Sequence, residues 1–297
     1  MADLTAIILT RNEEDNLAAC LDSLAGFAAR MVVVDSGSTD GTVAIARAHG
    51  AEVVEHAFTY YAAQFNWAIG HIGAETEWLL RIDADERFTP ALCSECETLL
   101  REAPDGVNGV SMEAEYYFLG RLLRHGGSKR RKIMIFRRGH GGIEDRKRDA
   151  HTVLTDGGYV RTKQRFIHCD CKDLGDYIAR CNWYAIREEQ DYLAYRNGAD
   201  ETVNTDAALQ RTRRKKFGLY YRAPMFLRAW LWFVYKYVFC GGFLDGVPGL
   251  VYHFLECYWY RFLVDARLYE RRVCGGGDDV LTAFGEEARR QREERLE

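Results

Sequence analysis

The sequence has no Gly-x-Gly-x-x-Gly after its first apolar run and no Walker-type Gly-Lys-Ser/Thr loop. A dinucleotide enzyme and a P-loop NTPase are therefore disfavoured. It has no excess of positive charge; a net charge of −4 argues against a general nucleic-acid binder. It has no uninterrupted apolar run approaching the roughly 18–20 residues of a spanning helix. No signal peptide precedes Met1-Ala2-Asp3-Leu4, and the nine cysteines are scattered and odd in number, so reduced thiols in a cytoplasm are expected. Cys93-x-x-Cys96 and Cys169-x-Cys171 lack a second Cys-x-x-Cys and a clear His pair, which favours free thiols over a zinc site. What is present is a chain of 297 residues, 47% hydrophobic and 28% charged, enough for a sizeable core in one large domain or one domain plus an appendage.

The organising stretch is Leu79-Leu80-Arg81-Ile82-Asp83-Ala84-Asp85-Glu86-Arg87. It reads as a buried strand that ends in two carboxylates one residue apart. In an open α/β sheet, ligands bind beyond the carboxyl ends of the strands. Paired carboxylates there suit Mg²⁺ or Mn²⁺, held together with substrate phosphates. The bland alternative is that Asp83 or Asp85 caps the helix that begins near Thr89-Pro90.

Three earlier strands lead to it: Leu4–Leu9, Met31–Val34 and Glu52–Glu55. Helices are expected after Asn12 as N-cap, from about Thr42 to His49, and around Tyr61 to Ile72. This β-α-β-α order implies a mostly parallel sheet covered on both faces. Thr10-Arg11-Asn12-Glu13, Asp35-Ser36-Gly37-Ser38 and Asp83-Ala84-Asp85 then share one edge. Such a set suits a nucleoside diphosphate, with carboxylates for base and ribose and a cation for the phosphates.

The motifs Ile7-Ile8-Leu9-Thr10-Arg11-Asn12-Glu13-Glu14, Val33-Val34-Asp35-Ser36-Gly37-Ser38-Thr39-Asp40-Gly41-Thr42 and Asp83-Ala84-Asp85-Glu86-Arg87 resemble those of the family-two inverting glycosyltransferases with the Rossmann-like GT-A fold. Ala63-Gln64-Phe65-Asn66, Phe118-Leu119-Gly120-Arg121, Arg124-His125-Gly126-Gly127 and Phe136-Arg137-Arg138-Gly139 resemble the lipooligosaccharide β-1,4-glucosyltransferase branch within it. The resemblance runs from residue 4 to about 195, and more loosely to about 270. It implies that Thr10, Arg11 and Glu13 contact the nucleoside, that Asp35 reads uracil with Ser38 nearby, and that Asn66 lies beside the nucleotide. It also implies that Asp83 faces the ribose or the metal and that Asp85 binds the metal. Phe65 stands where this branch often has Arg.

Strands are expected over Val107–Phe118 and Lys132–Phe136. Between them, Arg124 to Arg131 is a basic run, read as a site for anionic groups against the alternative of a solvated loop. Inversion by direct displacement needs a carboxylate base. Glu144-Asp145 resembles the family's pair, with Asp145 the first choice and Glu144 the second. Asp149, beside Ala150 and His151, is a third candidate, because the branch often places a His-Glu pair there. His151 and His168 are candidates to complete the metal shell.

Leu174 to Tyr195 reads as a helix, and Asn197 to Gln210 as a polar connector. The composition then changes to the basic run Arg211–Lys216 and to aromatic helices broken by Phe243–Leu250. Aromatics with interspersed basic residues fit a membrane-interface region. The expected organisation is a GT-A catalytic domain over 1–200, an amphipathic helical region over 211–273, and a charged tail over 274–297. The expected activity is metal-dependent transfer of a hexose, first of all glucose, from a UDP-sugar to a lipid-attached saccharide. The expected place is the cytoplasmic membrane face, as a peripheral protein with no nucleic-acid partner. The alternatives are a non-catalytic nucleotide-sugar-binding scaffold, prompted by Phe65 and Ala150, and a nucleotidyltransferase, which would need a Gly-rich basic first loop.

Overall fold

In β1 (Ala2–Thr10), successive side chains point to opposite faces of a sheet. Leu4, Ala6 and Ile8 pack with Leu17, Leu21 and Leu24 of α1 (Glu14–Leu24). Ile7 points the other way, into a cluster with Ala62 and Phe65 of α3 (Tyr61–His71). β2 (Ala28–Asp35) and β4 (Trp78–Asp83) divide in the same manner: Val33, Leu80 and Ile82 join the first cluster, Val32, Val34 and Leu79 the second. A strand covered on both faces is written as a continuous apolar run. With α2 (Thr42–Ala48) and β3 (Glu52–Glu55), these elements complete the parallel half, in the order β3-β2-β1-β4.

The structure is a computed structural model that describes residues 1–127, 131–144, 150–196 and 220–273. Ser128–Arg130, Asp145, Asp149, the connector with its basic run, and the tail from 274 lie outside the described residues. Beyond β4 the sheet continues through β8 (Arg131–Arg137), β6 (Val107–Phe118) and β11 (Gly158–Cys169), and ends at β5 (Glu86–Arg87). β8 runs antiparallel to both β4 and β6, and β5 antiparallel to β11, so the sheet is mixed at this end. β7 (Arg121–Leu122) pairs with β6, while β9 (Gly141–Ile143) and β10 (Thr152–Leu154) form a separate hairpin.

Two expectations about helix starts change. The cap of α4 (Pro90–Arg101) is Thr89, whose hydroxyl accepts from Leu92 N at 3.2 Å, so neither Asp83 nor Asp85 is used up as a cap. Asn12 is not the cap of α1. It has φ 56°, and its amide oxygen accepts from Thr39 N at 2.8 Å, stitching the first loop to the second.

The C-terminal helices build a second core. Tyr177, Cys181 and Ala185 of α5 (Leu174–Arg196) pack with Phe118, Tyr221, Tyr252, Leu255, Tyr260, Val264 and Leu268. α6 (Leu227–Val234) continues into a π-helical turn to Phe239, and α7 (Gly246–Tyr252) joins α8 (Tyr260–Val273) through another. Arg228 and Asp265 pair inside this core, both almost fully buried, with Arg228 Nε 2.8 and 3.0 Å from the two carboxylate oxygens. Asp265 also accepts from Phe226 N at 2.8 Å, and Arg228 donates to Tyr221 O at 2.9 Å. Among the described residues, no single helix is long and apolar enough to cross a membrane.

Breaking such a pair strands a buried charge, whereas replacing both partners with apolar groups need not. Arg228→Met alone is expected to destabilise by about 3–5 kcal/mol. The double change Arg228→Met, Asp265→Leu should recover most of that loss. Chemical denaturation of the two variants checks this; equal losses in both would refute the account.

Candidate active site

The ends of the parallel strands come first. In register, Thr10 lies beside Asp35, and Leu9 beside Asp83. Asp35 is 2% exposed, and its carboxylate is fully occupied. One oxygen accepts from Thr10 Oγ1 at 2.9 Å and Ser38 Oγ at 2.5 Å; the other accepts from Gly37 N at 3.0 Å and Ser38 N at 2.8 Å. Gly37, at φ 82°, supplies the left-handed residue that this tight loop needs. Glu13 reaches the far side of the cleft, with Oε1 2.6 Å from Lys172 Nζ. Arg11 stays exposed at the loop tip.

Next comes the acid cluster. After Asp83 the chain turns and pairs β5 against β11, which sets Glu86 opposite His168. Ligand atoms of Asp85, Glu86 and His168 then lie within 4.8 Å of one another. His168 Nδ1 is 3.6 Å from Asp85 Oδ1 and 3.8 Å from Glu86 Oε1, and its ring stacks on Tyr116 at 4.5 Å. Glu86 already has partners: Lys132 Nζ at 2.6 Å and Asp83 N at 3.1 Å. Asp85 Oδ1 is buried and accepts no hydrogen bond among the described residues. Burial, then the neighbouring charges of Asp83 and Glu86, push the Asp85 carboxyl up to about 6 against the pull of His168. A carboxylate oxygen buried without a hydrogen bond beside an imidazole fits a hard divalent cation, with Asp85 and His168 as ligands and Glu86 as brace.

Asp83 has a different task. Its oxygens accept from Tyr61 OH at 2.7 Å and from Lys132 Nζ at 3.3 Å. Burial opposes its ionisation, but Lys132, Arg81 and the Tyr61 hydroxyl outweigh burial and hold it down at about 2. The Arg81 guanidinium in turn bonds Tyr61 OH through Nε at 2.7 Å and reaches Ala150 O at 3.3 Å. Asp83 therefore stands beside the three clustered residues, not among them.

The hairpin of β9 and β10 is pinned from two sides. Asn66 brackets Ile143, donating to its carbonyl at 2.7 Å and accepting from its N–H at 2.9 Å. Arg81 holds the other arm. Glu144, 7% exposed, follows directly, and His151 Nδ1 lies 3.6 Å from its carboxylate. His151 thus faces Glu144 and is not in the metal group. Phe65 is fully buried in the core with Ile7 and Val34, and Ala150 packs against the same cluster while its carbonyl accepts from Arg81. Both departures from the branch pattern serve packing.

Residues 5–158 match the family model for glycosyl transferase family 2. The chain belongs to that family.

This glycosyltransferase is 29% identical to the lipopolysaccharide core biosynthesis glycosyltransferase LpsC of Rhizobium meliloti (strain 1021), over 95% of this chain and 97% of that one. An uncharacterized glycosyltransferase of Rickettsia conorii is 38% identical over 32% of this chain and 33% of its own. The succinoglycan biosynthesis protein ExoA of R. meliloti is 32% identical over 33% of this chain and 31% of its own. A glucosyl-3-phosphoglycerate synthase from Mycobacterium tuberculosis overlaps 38% of this chain and 44% of that one, at 22% identity and a TM-score of 0.32, too slight a likeness to carry anything further. The mostly parallel sheet with its acidic turn after β4 is the GT-A arrangement expected from the motifs.

Four residues that shape the site were not singled out in the sequence: Tyr61, Arg81, Glu86 and Lys132. Only Arg81 left a sign, as a charge inside an apolar strand.

In the metal-free glycosyltransferase, Asp85 keeps its proton up to about pH 6, whereas the unfolded carboxyl releases it near 3.8. Its ionisation therefore subtracts stability as pH rises through that window. At pH 8, metal-free Asp85→Asn is expected to be more stable than wild type by about 1–3 kcal/mol, and to lose the Mn²⁺-induced rise in melting temperature. Mn²⁺ affinity of the wild type should weaken as pH falls, first as His168 takes up a proton, since burial of its imidazole is outweighed by Asp85 and Glu86, which raise it above the usual range. It should weaken further below about 6 as Asp85 does the same, approaching about a hundredfold per unit because two protons are displaced. Calorimetric titration across pH checks the second point; an affinity independent of pH would refute it.

Proposed function

We propose that this chain is a metal-dependent inverting glycosyltransferase that moves a hexose, glucose in the first instance, from a UDP-sugar to a lipid-attached saccharide. The product belongs to cell-envelope glycan, lipooligosaccharide or a similar polymer. The enzyme works as a peripheral protein at the cytoplasmic face of the membrane. One observation carries the chemistry: Asp85, Glu86 and His168 converge at the edge where Thr10, Asp35 and Asp83 end their strands. The near full-length likeness to LpsC supports the acceptor class.

Asp85 and His168 would hold Mn²⁺ or Mg²⁺, which would supply positive charge for the departing diphosphate. Thr10, Arg11, Glu13, Asp35 and Ser38 form the nucleoside side. Asp83, kept ionised by Lys132 and Tyr61, presents acceptor oxygens to the ribose. In a single displacement, a carboxylate takes the acceptor hydroxyl's proton, that oxygen bonds to the anomeric carbon, and the bond to the diphosphate oxygen breaks. The base is one of Asp145, Glu144 and Asp149. Asn66 and Arg81 position the hairpin that leads into this stretch.

UDP release from a panel of UDP-sugars, with Mn²⁺, Mg²⁺ or EDTA, tests the reading. Release with one sugar is expected, abolished by EDTA and reduced about 100-fold or more by Asp85→Ala. Absence of UDP binding would overturn the nucleotide assignment. Asn66→Ala is expected to lower kcat about tenfold or more, by displacing the hairpin, with UDP affinity unchanged. A variant that loses UDP affinity instead would return Asn66 to the nucleotide side.

A further inference from the structure

Fourteen of the twenty-one large apolar side chains exposed among the described residues lie between Leu227 and Val273. Leu227, Trp230, Leu231 and Val238 recur at helical spacing on the outside of the first arm. Val247, Leu250 and Phe254 do the same on the second, and the arms are bent by 68° where they meet. The inner faces hold the arms together through Phe233 with Tyr258 and Tyr237 with His253. The outer face culminates in Phe239, 78% exposed, and Val247, 71% exposed.

Charge on this hairpin is sorted. The acids between Leu227 and Phe262 are Asp245 and Glu256, and both turn inward. Asp245 accepts from the N–H of His125 at 3.0 Å and pairs with its ring at 2.8 Å; Glu256 accepts from Tyr177 OH at 3.1 Å. Outward charge between Leu227 and Phe262 and on the flanks is basic; the exposed acid Glu270 lies farther along α8. Lys236 Nζ sits 5.1 Å from the Trp232 ring, and Arg121, Arg124 and Arg222 are exposed. The start of the basic loop is fastened to the hairpin: Gly126 N donates to Cys240 O at 2.9 Å, and a Cβ at Gly126 would fall 1.8 Å from His253 Nε2. α7, which carries Val247 and Leu250, also carries Tyr252, which packs on Tyr116 at 5.3 Å; Tyr116 stacks on His168 at 4.5 Å.

From this we infer that the bent aromatic hairpin is a docking surface for an anionic lipid bilayer, inserted at Phe239 and Val247, which sets the metal-site edge against the headgroups. Basic residues at the rim attract anionic headgroups while the apolar tip enters the acyl boundary, a division suited to an interfacial protein and not to a span. His168 lies two ring contacts from the inserting helix, so a saccharide on a lipid anchor reaches the site without leaving the bilayer. This rests on the membrane-face reading above and names the surface responsible.

The test is sedimentation of the full chain with vesicles of phosphatidylcholine alone, and of phosphatidylcholine with phosphatidylglycerol. The two arms separate apolar insertion from headgroup attraction. Wild type should bind the anionic vesicles more tightly, with partial release by salt. Phe239→Ser combined with Val247→Ser should bind about 100-fold more weakly. The same variant should keep the wild-type Mn²⁺-induced melting shift and UDP release, which shows that it is folded and keeps the glycosyltransferase reading separate. Wild type that stays in the supernatant, or a variant that binds equally well, overturns the inference. A wild-type dimer that the double change converts to monomer would assign this face to a second copy and overturn it too.

Discussion

The pairing of a two-residue strand with the end of β11 is the contact on which the site depends. Glu86 and Arg87 lie opposite His168 and Ile167, across a long stretch of intervening chain. Without that pairing, Asp85 would be one acid in a solvent-facing turn. With it, a carboxylate, a brace and an imidazole converge, and Tyr116 stacks on the imidazole from the far side. The parallel half of the sheet supplies the floor, because its strands end together at Thr10, Asp35 and Asp83.

Two acids one residue apart are driven in opposite directions. Asp83 gains Lys132 and the Tyr61 hydroxyl and stays ionised; Asp85, buried beside two other acids, holds its proton to about 6. The site thus concentrates negative charge that the metal-free fold does not fully compensate. An acidic cluster of this kind fits a binding site for a cation.

The C-terminal helices are part of the folded body. Arg228 and Asp265 pair inside it, and the buried Glu189 takes Arg267 and Arg271 from the surface, while apolar side chains are left outside. The same helices therefore carry both a packed core and an exposed apolar face. Tyr252 and Tyr116 link the hairpin to β6 and His168.

By itself the sequence determined the β-α-β-α half, the three polar loops at one edge, and the carboxylates at the end of the fourth strand. Those features are local: apolar runs, Gly and Asp at turns, and helical spacing act over a few residues. Tertiary structure alone decided which residues share the site. It joined Glu86 to His168, bonded Asn66 to Ile143, set His151 against Glu144, and placed Phe65 in the core. It also ran a half-buried relay from Arg81 through Tyr61 to Asp83. These partners lie 20 or more residues apart in several cases, and strand pairing across the sheet, not any local preference, brings them within reach.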